Sequence, residues 1–143
     1  MKRINTRAIL IENNYIYLIF RRKNNKEYYV IPGGGLDVGE TIEENVLREI
    51  KEELSVDIDI LGYLGKVEEE TSITYFYNAK IIKGIPKLGG EELEKHSRDN
   101  FYEIRKVSLN DIINIDVSYK DIINKAINKE YKDELINDRM KTI

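Results

Sequence analysis

Three glutamates with the spacing i, i+3, i+4 are the residues of this chain best placed to do chemistry. Glu49, Glu52 and Glu53 would lie together on one face of an α-helix. Carboxylates this close repel one another unless a positive charge lies among them. Arg48 lies one turn from both Glu44 and Glu52 and can supply that charge. In that interpretation the acidic face is an ordinary surface exposed to solvent. The alternative is a bound cation, and ligation by oxygen alone favours Mg²⁺ or Mn²⁺ over zinc.

The segment in front of this helix is rich in glycine. Pro32 is followed by Gly33, Gly34 and Gly35, and it is preceded by the apolar, aromatic run 28–31, which predicts a short strand. Glycine permits positive φ and a close approach of the backbone to a ligand, so we expect a tight turn here. A carbonyl oxygen of this turn can add one more ligand to a cation. The succession of strand, glycine turn and acidic helix favours the bound cation over the solvated surface.

The acidic helix is predicted to begin near Thr41. Thr41 and Glu44 have the spacing of a capping box, in which each side chain satisfies a backbone N–H of the first turn. An apolar stripe on the neighbouring arc is expected to face the core: Val46, Leu47, Ile50 and Leu54.

The remaining chain predicts an α/β fold with helices on either side of a mixed sheet. Strands are expected at 4–11, 15–21, 57–67, 73–82 and 101–109. The pair Asn13-Asn14 is typical of a hairpin turn between the first two. A loop over 83–100, with a short helical piece near 91–95, precedes the last strand, and a second helix is expected from Lys120 to near Met140. Residues 1–143 are predicted to form a single domain.

Composition limits the class of protein. The chain has 143 residues, no cysteine and a net charge of −3. The lack of cysteine excludes disulfides, cysteine nucleophiles and thiolate metal sites, and it fits a reducing cytoplasm. No apolar run reaches the length of about 18 residues that a membrane helix needs, and no secretory pattern is present at the start. The acidic balance gives no general electrostatic reason to bind nucleic acid.

The segment 34–56 resembles the Nudix box, the signature of the Nudix hydrolases, whose pattern is G-x5-E-x7-R-E-U-x-E-E-x-G-U with U a bulky aliphatic residue. Eight residues match at the required spacing: Gly34, Glu40, Arg48, Glu49, Ile50, Glu52, Glu53 and Val56. Ser55 stands where the family has glycine. A left-handed residue commonly ends a helix at this point, so serine should cost roughly 1 kcal/mol without removing a ligand. Asn45 and Val38 occupy variable positions where a small residue and a proline are expected.

The resemblance implies a Nudix-type α/β/α sandwich with the box between the layers. It also implies Mg²⁺-dependent hydrolysis, with Mn²⁺ as the alternative ion, of a phosphoanhydride in a nucleoside diphosphate linked to another group. The implied metal ligands are Gly33, Glu49, Glu52 and Glu53. Glu49 also matches the position that acts as the base on the attacking water, and Arg48 and Glu40 match a pair that orients the glutamates.

Residues outside the box are expected to hold the substrate. Arg21 and Arg22 end the second strand, and an arginine there can grip a phosphate bidentately, although strand alternation lets at most one of them reach the site. Tyr29 stands where Nudix proteins often keep an aromatic residue. Three further tyrosines can stack on a base, although packing is the better interpretation for each: Tyr75, Tyr77 and Tyr102. Four residues are open for the extra metal-binding acid that many relatives carry: Glu91, Glu92, Asp99 and Glu103.

Three functional classes are compatible with the resemblance. A catalytic pyrophosphohydrolase acting on a small nucleotide is favoured, because every acidic position of the signature is present. A non-catalytic nucleotide-sensing module would be expected to lose those positions. An RNA 5′-pyrophosphohydrolase would benefit from a basic stripe, and the sequence displays no evident one. The resemblance also allows a homodimer, and it does not name the nucleotide.

Overall fold

The computed structural model describes residues 1–89 and 100–130. Four strands precede the first helix: β1 (Arg3–Glu12), β2 (Tyr15–Lys23), β3 (Lys26–Val30) and β4 (Gly33–Gly35). They are followed by helix α1 (Ile42–Leu54) and strands β5 (Asp57–Glu68), β6 (Ser72–Lys83) and β7 (Asn100–Ser108). A 3₁₀ helix (Leu109–Asn114) and helix α2 (Lys120–Ile127) complete the described part. The helical piece expected near 91–95 and the end of the last predicted helix lie outside the described residues.

The strands form one mixed sheet with the central order β3-β2-β1-β6-β5. β1 and β6 are parallel, and the other described pairs are antiparallel. β4 pairs with β1, and β7 pairs with β2. Asn13 and Asn14 both have positive φ, at 51° and 66°, and they form the predicted turn between β1 and β2.

Two apolar cores lie on opposite faces of β1, because successive strand residues point to opposite sides. Ala8 and Leu10 pack in a cluster that includes Ile50 of α1. Ile9 packs in a second cluster that includes Ile123 of α2. The two helices therefore cover the two faces of the sheet, as predicted. Among residues 1–89 and 100–130, no helix is long and apolar enough to cross a membrane.

Both ends of α1 have the predicted local structure. Glu44 N donates to Thr41 Oγ1 at 3.1 Å, and Thr41 N donates to Glu44 Oε1 at 2.9 Å, which completes the capping box. At the other end Ser55 is left-handed, with φ 61° and ψ 31°. The strain expected for a serine at this position is therefore present in the fold.

Two predictions about this region are wrong. Leu47 was expected in the apolar stripe of α1, but it is 39% exposed, because it lies about 100° around the helix from Val46 and off the buried row. Ile42 takes its place in the core. The three glycines were expected as a turn, but they form β4, paired with β1 so that Gly34 lies opposite Thr6. A Cβ atom on Gly33 would collide with the Thr6 carbonyl, so only glycine permits this pairing.

Candidate active site

The glycines of β4 let the acidic face of α1 lie directly on the strand. A Cβ atom on Gly34 would collide with the carboxylate of Glu49, so the absence of a side chain makes room for that group. The N–H of Gly33 donates to Glu53 Oε1 at 2.7 Å. Two of the three glutamates therefore lie against the backbone of one short strand.

The three glutamates differ strongly in burial. Glu53 is 8% exposed, the side chain of Glu49 is 16% exposed, and that of Glu52 is 54% exposed. Removing a carboxylate from water is costly unless hydrogen bonds or opposite charges compensate. The N–H of Gly33 provides one such bond to Glu53. The acidic face therefore runs from a buried, fixed carboxylate to an exposed one.

Arg48 is the positive charge among these acids. Its Nη1 lies 3.1 Å from Glu49 Oε1 and 3.1 Å from Glu52 Oε2. Its Nη2 donates to Glu40 Oε1 at 3.0 Å and to the carbonyl of Gly35 at 3.1 Å. One guanidinium thus links the loop before α1, the strand β4 and two turns of the helix.

Glu40 accepts hydrogen bonds from three groups. They are the guanidinium of Arg48, the backbone N–H of Asp37 at 3.0 Å and Nδ2 of Asn45 at 3.1 Å. The hydrogen bond from Arg48 is the main reason that the pKa of Glu40 is lowered, and burial opposes this shift. The same hydrogen bond raises the pKa of Arg48. The pair is therefore fully ionised at neutral pH.

Asn45 is a site residue whose role the sequence analysis missed. Its side chain is fully buried, yet each polar atom has a partner within the described residues. Thr6 Oγ1 donates to its Oδ1 at 2.6 Å, and its Nδ2 donates to the carbonyl of Gly35 at 2.8 Å as well as to Glu40. The amide thus connects β1, β4 and α1 with the Glu40–Arg48 pair. The available signal was a polar residue where a small one was expected.

A cavity of about 870 Å³ opens beside β4 and the acidic face of α1. Its volume is typical of sites for small molecules, which measure roughly 300–1,000 Å³. One part of its wall consists of box residues, including Arg48 and the three glutamates. The other part comes from β1, β2 and β7: Arg3, Asn5, Arg7, Arg21, Lys23, Asn100 and Tyr102. The β1 residues in this second group were not singled out from the sequence.

Arg21 and Arg22 lie on opposite faces of β2. Arg21 lines the cavity, and its Nη2 donates to Tyr102 Oη at 2.7 Å. The guanidinium of Arg22 lies 4.8 Å from the ring centroid of Phe101, and its Nη1 is 3.7 Å from Glu27. Strand alternation therefore brings one of the two arginines to the cavity and not the other. Tyr102 is also the one of the three tyrosines noted above that lines this cavity.

Two other predicted residues are not brought to the cavity. The ring of Tyr29 packs edge-on against Phe20 at 5.3 Å, and its hydroxyl accepts a hydrogen bond from Arg105 at 3.1 Å. Glu103 pairs with Arg105 at 2.6 Å instead of facing the acidic helix. The remaining acids considered as metal ligands lie outside the described residues: Glu91, Glu92 and Asp99.

The donor set fits a hard divalent cation by its chemistry. Mg²⁺ and Mn²⁺ prefer carboxylate and carbonyl oxygens, and this site offers three carboxylates beside a glycine strand. In the described part of the chain, no three His, Cys, Asp or Glu side chains already have an arrangement that could hold a metal ion. The two carboxylate oxygens of Glu52 instead lie 3.2 and 3.1 Å from Arg48 Nη1. Glu52 is more than half exposed, so packing does not confine it to this rotamer.

Comparison with known proteins agrees with this geometry. The family model of the NUDIX domain matches residues 1–125, and the chain therefore belongs to the NUDIX family. It is 34% identical over 84 residues to an ADP-ribose pyrophosphatase of Methanocaldococcus jannaschii, covering 57% of this chain and 50% of that protein. It is 29% identical over 94 residues to an RNA pyrophosphohydrolase of Campylobacter jejuni, covering 62% and 57%. The match spans about half the length of these curated relatives.

Solved structures share the fold. An ADP-ribose pyrophosphatase of Streptococcus suis has a TM-score of 0.69 at 17% identity, covering 93% of this chain and 95% of that one. A MutT NUDIX hydrolase of Burkholderia pseudomallei has a TM-score of 0.64 at 25% identity, covering 78% and 87%. These likenesses confirm the predicted α/β class with a mixed sheet and helices.

Proposed function

We propose that this chain is a pyrophosphohydrolase that cleaves a phosphoanhydride bond in a nucleoside diphosphate linked to another group. The observation that carries the proposal is the convergence of Glu49, Glu52 and Glu53 on the wall of a cavity next to a glycine strand. A diphosphate repels an incoming nucleophile, so a site that cleaves it must neutralise phosphate oxygens. The relatives named ADP-ribose pyrophosphatase and RNA pyrophosphohydrolase support the same reaction class.

The cation in this proposal is Mg²⁺, with Mn²⁺ as the alternative. Glu49, Glu52, Glu53 and the carbonyl of Gly33 would hold it. When bound, such an ion neutralises phosphate oxygens and lowers the pKa of a coordinated water. The absence of cysteine suits a reducing compartment, so the proposal places the chain in the cytoplasm.

Glu49 is proposed as the general base. Its carboxylate lines the cavity, lies against Gly34 and is bonded to Arg48 at 3.1 Å, which fixes its direction. A base in this position can take a proton from an attacking water, a role that typically contributes 10²–10⁴-fold to the rate. Arg48 and Glu40 are proposed as positioning residues, since they act through the glutamates and the backbone of β4.

A substrate panel with Mg²⁺ and with Mn²⁺ tests this function. The panel contains ADP-ribose, nucleoside triphosphates, a dinucleoside polyphosphate and a triphosphorylated oligonucleotide, with chromatography of the products. We expect cleavage of at least one anhydride by the wild type, and none in the presence of EDTA. The E53Q variant should be inactive, whereas E43Q, on the same helix, should be active. Absence of cleavage of every compound, or equal cleavage in EDTA, would contradict the proposal.

A further inference from the structure

The cavity has a basic half that the proposed hydrolysis does not use. Four cationic side chains of β1 and β2 line it: Arg3, Arg7, Arg21 and Lys23. Within residues 1–89 and 100–130, none of the four forms an ion pair with a carboxylate. Arg48, in contrast, is in contact with several acids. In a chain of net charge −3, a cavity wall of unpaired cations favours an anionic ligand.

Strand β4 lies between Glu49 of the acidic helix and the two arginines of β1, Arg3 and Arg7. A Cβ atom on Gly35 would lie 3.0 Å from an Nη atom of Arg3, and one on Gly33 would lie 2.8 Å from Cγ of Arg7. Gly34, between them, faces Glu49 instead. The arginines and the carboxylate thus lie on opposite faces of one strand, yet all of them line the same cavity. A ligand that crosses β4 can therefore contact both groups.

Arg21 adds an unsatisfied donor to the basic half. Its Nε is buried and has no hydrogen-bond partner among the described residues. The rest of the guanidinium is held in place, because Nη2 donates to Tyr102 Oη and the group lies 4.4 Å from the centroid of that ring. A buried donor without a partner costs roughly 1–3 kcal/mol, and the other N–H groups of this guanidinium, at the cavity wall, can bind a phosphate oxygen. The fixed, planar fork of arginine is suited to such an oxygen.

We propose that the basic half of the cavity binds an additional phosphate group, so that the substrate is a 5′-triphosphate and not a diphosphate joined to a sugar. The inference rests on the proposed function, and it names the substrate class of the same site. A triphosphate carries one more phosphate than a diphosphate between two uncharged groups, and that phosphate can bind Arg3 and Arg7. A free nucleoside triphosphate and the 5′ end of an RNA share this chemistry.

Binding without turnover tests the subsite by itself. Calorimetry in EDTA compares inorganic tripolyphosphate with pyrophosphate for the wild type and for R3Q, R7Q and R22Q. We expect the wild type to bind tripolyphosphate about tenfold more tightly, and we expect R3Q and R7Q each to remove most of that difference. R22Q is the matched control, because Arg22 lies on the other face of β2, and it should bind as the wild type does. R3Q keeps the test decisive if R7Q, which loses a hydrogen bond to the Ile31 carbonyl, fails to fold.

Equal binding of the two anions by the wild type, or an R3Q variant that binds tripolyphosphate as the wild type does, would overturn the subsite. So would wild-type protein that binds no tripolyphosphate.

Turnover with Mg²⁺ distinguishes the two sources of the triphosphate. We expect kcat/KM for either a nucleoside triphosphate or a triphosphorylated oligonucleotide to exceed that for ADP-ribose, and R3Q to lower the larger value about tenfold. The preferred compound identifies the source. Preference for ADP-ribose, unchanged in R3Q, would overturn the inference. Tripolyphosphate binding as expected, with no compound hydrolysed, supports the subsite and contradicts the proposed hydrolase function.

Discussion

At the scale of single residues, Arg48 explains how a dense acidic face is tolerated in the folded protein. Like charges one turn apart on a helix destabilise it by about 0.2–0.5 kcal/mol per pair, and contacts with Glu49 and Glu52 offset that repulsion. Helical spacing predicted the contact with Glu52, four residues away, but not the one with Glu49, the next residue in sequence. Glu44, the other partner expected for Arg48, bonds to Thr41 in the capping box instead. The contact of Asn45 with Thr6 could not be predicted, because the two residues are 39 positions apart and meet only when β1 packs on α1.

The proposed base is tested by E49Q. Glutamine keeps the shape of the side chain but cannot take a proton, so turnover should fall by about two to four orders of magnitude. The urea midpoint should stay near the wild-type value. Phosphate release with Mg²⁺ measures the first quantity, and E43Q serves as the control. Near-wild-type turnover in E49Q would place the base at another residue.

The hydrogen bond between Glu40 and Arg48 should make the stability of the fold depend on pH. Arg48 lowers the pKa of Glu40 in the folded state below the ordinary value of 4.5, so the ionised carboxylate stabilises the fold. This contribution is fully present above the unfolded-state pKa, and it is lost as the pH falls through the lowered folded-state pKa. The stability difference between the wild type and E40Q should therefore shrink as the pH falls below the ordinary value of 4.5 and through the lowered pKa of Glu40. Urea unfolding across this range measures it, and a difference independent of pH would contradict the assignment.

At the scale of elements, the sequence was sufficient to predict features that are formed by residues close together in the chain. The capping box of α1 and the turn at Asn13-Asn14 were predicted, because their hydrogen bonds join residues close in sequence. β4 was missed for the opposite reason. Three glycines carry no strand signal, and the strand exists because β1 pairs with it and α1 packs on it. The exposure of Leu47 likewise depends on how the helix is rotated against the sheet.

G34A tests the role of β4 in placing the acidic face. The added methyl group would collide with the carboxylate of Glu49, so activity should fall about tenfold or more as that group is displaced. G39A is the matched control, because a methyl group there meets no atom within 4 Å although φ is +82°. It should lose about 1 kcal/mol of stability and keep its activity. Equal activity in G34A and G39A would show that β4 does not position the acidic face of α1 for the reaction.

S55G tests the strain at the end of α1. Ser55 is left-handed, and glycine adopts that conformation without a Cβ penalty, so the variant should be more stable by about 1 kcal/mol. S72G, at the start of β6 and without positive φ, should instead lose roughly 0.5–1 kcal/mol because glycine is unfavourable in strands. Urea unfolding measures both changes. A loss of stability in S55G would contradict the account of this helix end.

At the scale of the whole molecule, the cavity combines an acidic half that the signature predicts with a basic half of which only Arg21 was expected from the sequence. The acidic half lies within 24 consecutive residues, 33–56, so spacing was sufficient to identify it. The basic half comes from Arg3, Arg7 and Arg21, on strands far from α1 in sequence. Their convergence depends on β1 lying between β4 and β6, and no local pattern encodes that order. Sequence reasoning therefore indicated the acidic chemistry and Arg21, but not the two arginines of β1.

Electron paramagnetic resonance of Mn²⁺ during a protein titration tests the central claim most directly. The account predicts that wild-type protein removes Mn²⁺ from solution at a site that E53Q abolishes and E43Q preserves, because Glu53 is fixed to β4 whereas Glu43 is outside the proposed ligand set. Binding of the ion with equal affinity by wild type and E53Q, or no binding by either, would contradict it.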